Sequence, residues 1–209
     1  MATPPGPAGA PGTPGGVDRP DARPEGARHR DGPEVLVIGA TGYIGSRLVP
    51  RLLADGARVR VLARTPTRLD GVPWRDRVTG HEGGLGDAAS LRAALREVDV
   101  ACHLVHSMGD TKDFAAEERR STRDFVRAAA EAGVGRIVHL SGLHPPGETD
   151  LSPHLRSRVE VGRLMLDGPV PSLVVQAGVV IGSGSASFEM IRHLTTRLPA
   201  NEPWVLERI

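Results

Sequence analysis

Apolar residues in this chain come in short unbroken runs, separated by stretches in which they recur every three or four positions. A run of four to eight reads as a strand buried on both faces, and the three-to-four recurrence reads as one face of a helix. The runs predict strands at Val35–Ile38, Arg58–Ala63, Arg77–His81, Val98–Val105, Arg136–Ser141 and Ser172–Gln176, the last continuing irregularly to Ile181. Between them the pattern predicts helices over Tyr43–Ala54, Ala88–Glu97, Lys112–Ala132 and Pro153–Leu166, with a further one at Phe188–Leu198. Asp87 stands where an N-cap belongs and Gly133 where a helix-ending C′ glycine belongs. Pro50 falls inside the first helix, where it removes one hydrogen bond and is expected to kink the axis. Strands and helices that alternate at this spacing define an α/β fold, a doubly wound parallel sheet with helices on both faces. Ligands of such sheets lie beyond the carboxyl ends of the strands. The candidate site is therefore drawn from Gly39–Gly45, Arg64, Gly83–Leu85, Val105–Met108, Ser141–His144 and Ala177–Gly182.

The first of these segments is the most informative. Glu34-Val-Leu-Val-Ile-Gly39-Ala-Thr-Gly42-Tyr-Ile-Gly45 is a strand, a glycine turn and a helix start. In that context each glycine has its own task. Gly39 permits a sharp turn, Gly42 lets an anion approach the backbone, and Gly45 permits close helix packing. The helix start supplies free N–H groups and the positive end of a dipole. Together they predict that the backbone of Gly39, Ala40, Thr41, Gly42, Tyr43, Ile44 and Gly45 grips the diphosphate of a nicotinamide dinucleotide. The spacing is G-x-x-G-x-x-G rather than G-x-G-x-x-G, so the surrounding strand and helix carry much of the inference. Arg64 ends the second strand, about twenty residues past the glycines, where an Asp or Glu would hold the ribose of NAD. A guanidinium there suits an added phosphate instead, so NADP(H) is expected over NAD(H).

Composition narrows the partners. The chain has 209 residues, a net charge of +1 and one cysteine, Cys102. The charge balance and the lack of a basic stripe with interleaved aromatics argue against nucleic acid. A single cysteine cannot build a disulfide framework, and no apolar run reaches the length of a membrane span. A cytoplasmic protein is the expectation. No paired-cysteine or H-E-x-x-H spacing points to a metal, and neither a G-x-S-x-G elbow nor a G-x-x-x-x-G-K loop is present. Residues 1–33 are dense in Pro, Gly and charge and are expected to form a disordered tail. The expected domain is then 34–184, with 185–209 a remnant of a substrate-side segment.

The segments VLVIGATGYIGSRLV, RVRVLAR, VDVACHLVHSMG, AGVGRIVHLSGL, SPHLRSRVEVG and GVVIGSGSASFEM resemble the short-chain dehydrogenase/reductase superfamily, in its atypical or extended form. More narrowly the chain resembles the NmrA-like NAD(P)H-binding branch. The resemblance spans residues 34 to about 198 and implies a Rossmann-like sheet. The implied activity is hydride transfer between a nicotinamide and a carbonyl or alcohol of unknown identity, the alternative being a non-catalytic cofactor sensor. It also implies that Leu85 packs on the adenine and that Val105 and His106 lie beside the nicotinamide.

Three departures mark the chain. The family's Ser is matched by Ser141, but Tyr-x-x-x-Lys is replaced by His154-Leu-Arg-Ser-Arg158, and the chain's one Tyr and one Lys, Tyr43 and Lys112, stand elsewhere. The resemblance then assigns Ser141 to polarise the substrate oxygen, His154 to shuttle the proton and Arg158 to hold the ribose, since imidazole titrates near neutrality and guanidinium binds hydroxyls. Gly84 replaces the Asp that binds the adenine amino group in relatives. Finally, the last residues, Asn201–Ile209, do not continue the family pattern, from which a truncated or frame-shifted substrate side is expected.

Overall fold

The computed structural model describes residues 32–105, 114–144 and 151–197. The strands are β1 (Glu34–Ile38), β2 (Arg58–Ala63), β3 (Val78–Glu82), β4 (Val100–His103), β5 (Arg136–Gly142) and β6 (Ser172–Ala177). The helices are α1 (Gly45–Ala54), α2 (Ala88–Leu95), α3 (Phe114–Glu131), α4 (Pro153–Leu166) and α5 (Ala186–Arg197). The six strands form one sheet in the order β3-β2-β1-β4-β5-β6, every pair parallel. This is the Rossmann-like doubly wound arrangement. The order reverses between β1 and β4, which opens a crevice at their carboxyl ends.

Alternation along the strands divides the core in two. Leu36, Ile38, Leu62, Ala101 and Ile137 face α2, α3 and α4, packing on Leu91, Leu95, Phe125 and Met165. Val35, Val37, Val59, Val61 and Cys102 face the other way, onto Val49 of α1 and onto Leu69 and Trp74. Because β1 is buried over its whole length, its sequence shows no polar alternation.

Several boundaries differ from the sequence pattern for physical reasons. The first helix begins at Gly45 rather than Tyr43, because Gly39–Ile44 form the turn. It runs through Pro50 to Ala54 on an exposed face. The run Val98–Val105 yields a strand of only Val100–His103, and the Leu104 N–H makes the last bond to β1, at the Ile38 carbonyl. Asp99 stays outside the strand and accepts the backbone N–H of Glu34 at 2.8 Å through its carboxylate. Asp87 caps α2 by accepting from Ala89 and Ser90, bonds that hold its carboxyl below the usual range. Gly133, at φ 71°, ends α3. Residues 1–31 of the expected tail, Lys112, His106 and Asn201–Ile209 lie outside the described residues.

Candidate cofactor and catalytic site

The glycine turn is built by close backbone contacts. Gly39 takes φ 93°, and a Cβ there would meet Val105 Cγ1 at 2.9 Å and the Leu104 carbonyl carbon at 3.3 Å. The turn thus presses against the end of β4, at the point where the strand order reverses. Gly42 donates its N–H to the Gly39 carbonyl at 3.0 Å. A Cβ on Gly45 would overlap the Gly39 carbonyl oxygen and the Ala40 backbone. Gly45 therefore serves the turn itself more than helix–sheet packing. No side chain caps α1 and no acidic residue stands in its first turn, while the Ser46 and Arg47 N–H groups donate to the Gly42 and Ile44 carbonyls, which leaves the turn before them to meet an anion. Thr41 and Gly42 are exposed, and Ala40 is buried beneath them. The cradle that a Cβ would fill, together with an uncapped helix, fits a dinucleotide diphosphate.

Flanking groups extend this crevice. Arg64 is exposed at the carboxyl end of β2, and a Cβ on Gly84 would lie 3.2 Å from its Cγ. The missing Asp side chain is thus what gives Arg64 its room. Leu85 and Val105, both half-buried, pack against the same apolar core cluster.

A second feature of the turn is invisible to local sequence reading. The loop after β6 is tied to it. The Arg47 guanidinium lies 3.6 Å over the Tyr43 ring, donates to the Tyr43 carbonyl at 3.1 Å and donates to the Ser183 carbonyl at 3.0 Å. The Tyr43 hydroxyl occupies the space where a Gly182 Cβ would stand. Ser185, buried at 4% exposure, donates to the Val180 carbonyl at 2.6 Å and accepts the Phe188 N–H, which fixes the loop to the start of α5.

At the next strand ends lie the candidate catalytic groups. Ser141 is 7% exposed and donates to the Arg158 backbone carbonyl at 3.4 Å. The Arg158 side chain passes over the end of β5, 3.2 Å from the position of a Cβ on Gly142. Ser141 and Arg158 line one cavity of about 200 Å³, together with His144, Val159, Gly162, Arg163, Leu166, Val174 and Gln176. His154 stands at the second position of α4, after the capping Ser152, and stacks on Phe114 with ring centroids 4.6 Å apart. It is not among the residues that line the cavity. The imidazole that does line it is His144, whose Nε2 lies 2.8 Å from the Gln176 amide nitrogen. In sequence His144 closed the candidate segment Ser141–His144 without a role of its own, and Gln176 only ended the sixth strand. Nothing local tells that β5 and β6 are neighbours with Ser141 opposite Gln176.

Beneath this site the sheet buries two histidines. His103 and His139 face each other with Nδ1 atoms 3.1 Å apart, and His139 Nδ1 also lies 3.2 Å from the His103 carbonyl. A carbonyl only accepts, so the contact with the His103 carbonyl calls for the proton of His139 on Nδ1, with His103 Nδ1 as a second acceptor. His103 also packs against Phe125, as a core histidine rather than a ligand. Glu118 of α3, also buried, accepts from Ser157 of α4 at 2.6 Å and so ties together the helices that frame Arg158. Among the described residues no cluster of His, Cys, Asp or Glu is arranged to hold a metal, and no helix is long and apolar enough to cross a membrane.

With the crevice and its glycine turn in place, the class of protein follows. The model of the NAD(P)H-binding family matches residues 39–162, and the chain belongs to that family. Its fold is shared by solved short-chain dehydrogenase/reductase and NmrA structures. The chain is similar to dTDP-6-deoxy-L-talose 4-dehydrogenase (NAD(P)(+)) of Kitasatospora kifunensis, at 28% identity over 83% of this chain and 61% of that one. A short-chain dehydrogenase/reductase superfamily protein from Agrobacterium tumefaciens with bound NAD shares the fold, with TM-score 0.57, 22% identity, 68% of this chain and 48% of that one. A doubly substituted NmrA does so with TM-score 0.58, 23% identity, 72% of this chain and 46% of that one. The chain spans 61%, 38% and 33% of the lengths of three curated relatives it matches.

Proposed function

We propose that this protein is an NADP(H)-dependent oxidoreductase of the cytoplasm that acts on a small carbonyl or alcohol. One observation carries the reading. The turn Gly39–Gly45 presses on the end of β4, while two strand positions away Ser141 and Arg158 share a cavity. A dinucleotide gripped at the first site reaches the second along the carboxyl ends of the strands. The bound nicotinamide supplies or accepts a hydride. The amides of Thr41, Tyr43 and Ile44 hold the diphosphate, and Leu85 and Val105 offer apolar walls to the ring systems. Arg158 offers its guanidinium to ribose hydroxyls over the end of β5. Ser141 donates a hydrogen bond to the substrate oxygen in place of the Arg158 carbonyl. Arg64 selects the phosphorylated ribose, with Gly84 leaving it space.

Calorimetric titration with NADPH and NADH tests the cofactor reading. NADPH is expected to bind at least about tenfold more tightly, a difference of about 1.4 kcal/mol. Arg64→Glu should reverse that order through charge repulsion. Equal affinities in both proteins would remove Arg64 from the choice of cofactor.

A second reading is a cofactor-binding sensor without turnover. It is favoured by the loss of Tyr-x-x-x-Lys and by the stacking of His154 on Phe114. Tight NADPH binding with no oxidation of NADPH across a panel of aldehydes, diketones and quinones would select it.

A further inference from the structure

The geometry points to His144, held by Gln176, as the group that exchanges the substrate proton in the Ser141–Arg158 cavity. The inference rests on the oxidoreductase reading above and adds to it the missing acid and base. Spacing along the chain offers His154, but folding gives that side chain another surrounding. His154 is exposed and lies flat on Phe114. His144 is half-buried and shares a cavity wall with Ser141.

Three physical facts support the assignment. The first is position. β5 and β6 are in register with Ser141 opposite Gln176 and Gly142 opposite Ala177, and the Leu143 N–H donates to the Ala177 carbonyl at 2.9 Å. His144 thus leaves the sheet just beyond Ser141, with its backbone still anchored to β6. The second is orientation. An amide N–H donates, so at 2.8 Å the Gln176 amide fixes Nε2 of His144 as an acceptor and leaves the proton on Nδ1. Rotation of the same amide presents its oxygen and accepts from Nε2–H of the imidazolium. Gln176 can therefore hold both protonation states in one ring position, which a group that takes and returns a proton requires. The third is surroundings. Among the described residues that line the cavity, Ser141 on β5, Arg158 and Arg163 on α4 and Gln176 on β6 face the ring, and none of these lining residues is a carboxylate. At about 200 Å³ the cavity is smaller than the roughly 300–1,000 Å³ of whole-ligand clefts, so it receives the reacting group of a substrate rather than all of it.

The step balances simply. In the reducing direction a hydride from reduced nicotinamide forms the new C–H bond at the carbonyl carbon, and the C=O π bond breaks. The oxygen, hydrogen-bonded by Ser141, takes the proton from the His144 imidazolium. An alcohol, oxidised nucleotide and neutral imidazole result, and His144 regains its proton from solvent. Gln176 is a positioning residue for this transfer.

Wild type, His144→Gln, His154→Gln and Gln176→Leu are compared by three measurements. The first is NADPH affinity by calorimetry. The second is NADPH oxidation with phenanthrenequinone, aliphatic aldehydes and diketones as a function of pH. The third is the imidazole NMR spectrum of the NADPH complex with and without 2-propanol, an alcohol that cannot react with the reduced cofactor. The expected result is unchanged NADPH affinity in His144→Gln with kcat lower by about 100-fold, the scale of acid–base catalysis. The pH dependence of kcat seen in wild type should be lost in that variant and altered in Gln176→Leu. The ring signals lost in His144→Gln should be those that shift when 2-propanol is added. Larger loss in His154→Gln than in His144→Gln overturns the assignment, as does a His144 ring that ignores 2-propanol. NADPH binding by wild type with no turnover of any probe also overturns it, while the cofactor reading stands. Failure of wild type to bind NADPH brings down both.

Discussion

Single atoms decide much of the behaviour at the residue scale. Gly45 is the sharpest case, because a methyl group there would enter the space of the Gly39 carbonyl and the Ala40 backbone, neither of which can rotate away. Gly45→Ala should cost about 1–3 kcal/mol of stability, measured by urea unfolding, and should weaken NADPH binding as well. A stability loss with intact affinity would show that the turn relaxes without losing its grip. His81 offers a test of pH dependence. Its folded pKa is lowered from 6.5, first by burial and then by Arg60, with Glu34 opposing. The folded state therefore binds fewer protons than the unfolded chain. The contribution of His81 is complete above about pH 6.5 and is lost as pH falls from there through the lower folded value. Urea midpoints taken at about pH 7.5 and about pH 5.5 should fall less in His81→Gln than in wild type. An equal fall in the two proteins would assign the acid sensitivity to other groups.

At the scale of elements, the loop after β6 and the start of α1 behave as one unit. Arg47 binds the Ser183 carbonyl, Tyr43 fills the space above Gly182, and Ser185 closes the loop onto α5. These bonds join the glycine turn to a loop 136 residues away in the chain. Gly182→Val should push the Tyr43 ring aside and disturb Arg47. The NADPH dissociation rate, read by stopped-flow fluorescence, should rise by about tenfold, about 1.4 kcal/mol. If the rate is unchanged, the loop is tied to the turn without supporting its ligand. The elements themselves were legible because each announces itself locally. Buried runs gave the strands, and Asp87 and Gly133 marked helix ends through groups that lie beside them in sequence. The tie between Arg47 and Ser183 was not legible, since no pattern within a dozen residues of either one encodes it.

For the whole molecule, the two sheet edges contrast. The β3 edge carries Thr79, Gly80, His81 and Glu82, and polar or charged residues discourage further pairing. The β6 edge reads Ser-Leu-Val-Val-Gln-Ala with no charge, and Leu173 and Val175 are 52% and 43% exposed. Val179, Ile181 and Met190 extend that apolar surface. Such an edge favours self-association. Light scattering of this chain should show mass rising with concentration, and Val175→Lys should suppress the rise while leaving NADPH affinity unaltered. A wild type that stays monomeric at high concentration would remove this expectation.

The amino-acid order alone determined the alternating α/β architecture and the glycine turn at the end of the first strand. Both follow from interactions between near neighbours, namely hydrophobic periodicity and the backbone freedom of glycine. It also placed Ser141 at the end of its strand and Arg158 within the helix that follows. Only the tertiary structure decided which imidazole joins them. His144 and His154 lie 3 and 13 residues past Ser141. Their surroundings are set by what β6 and α3 bring alongside, Gln176 to one and Phe114 to the other. Contacts between strands and helices far apart in the chain depend on how the sheet is ordered, and no local pattern of side chains carries that information.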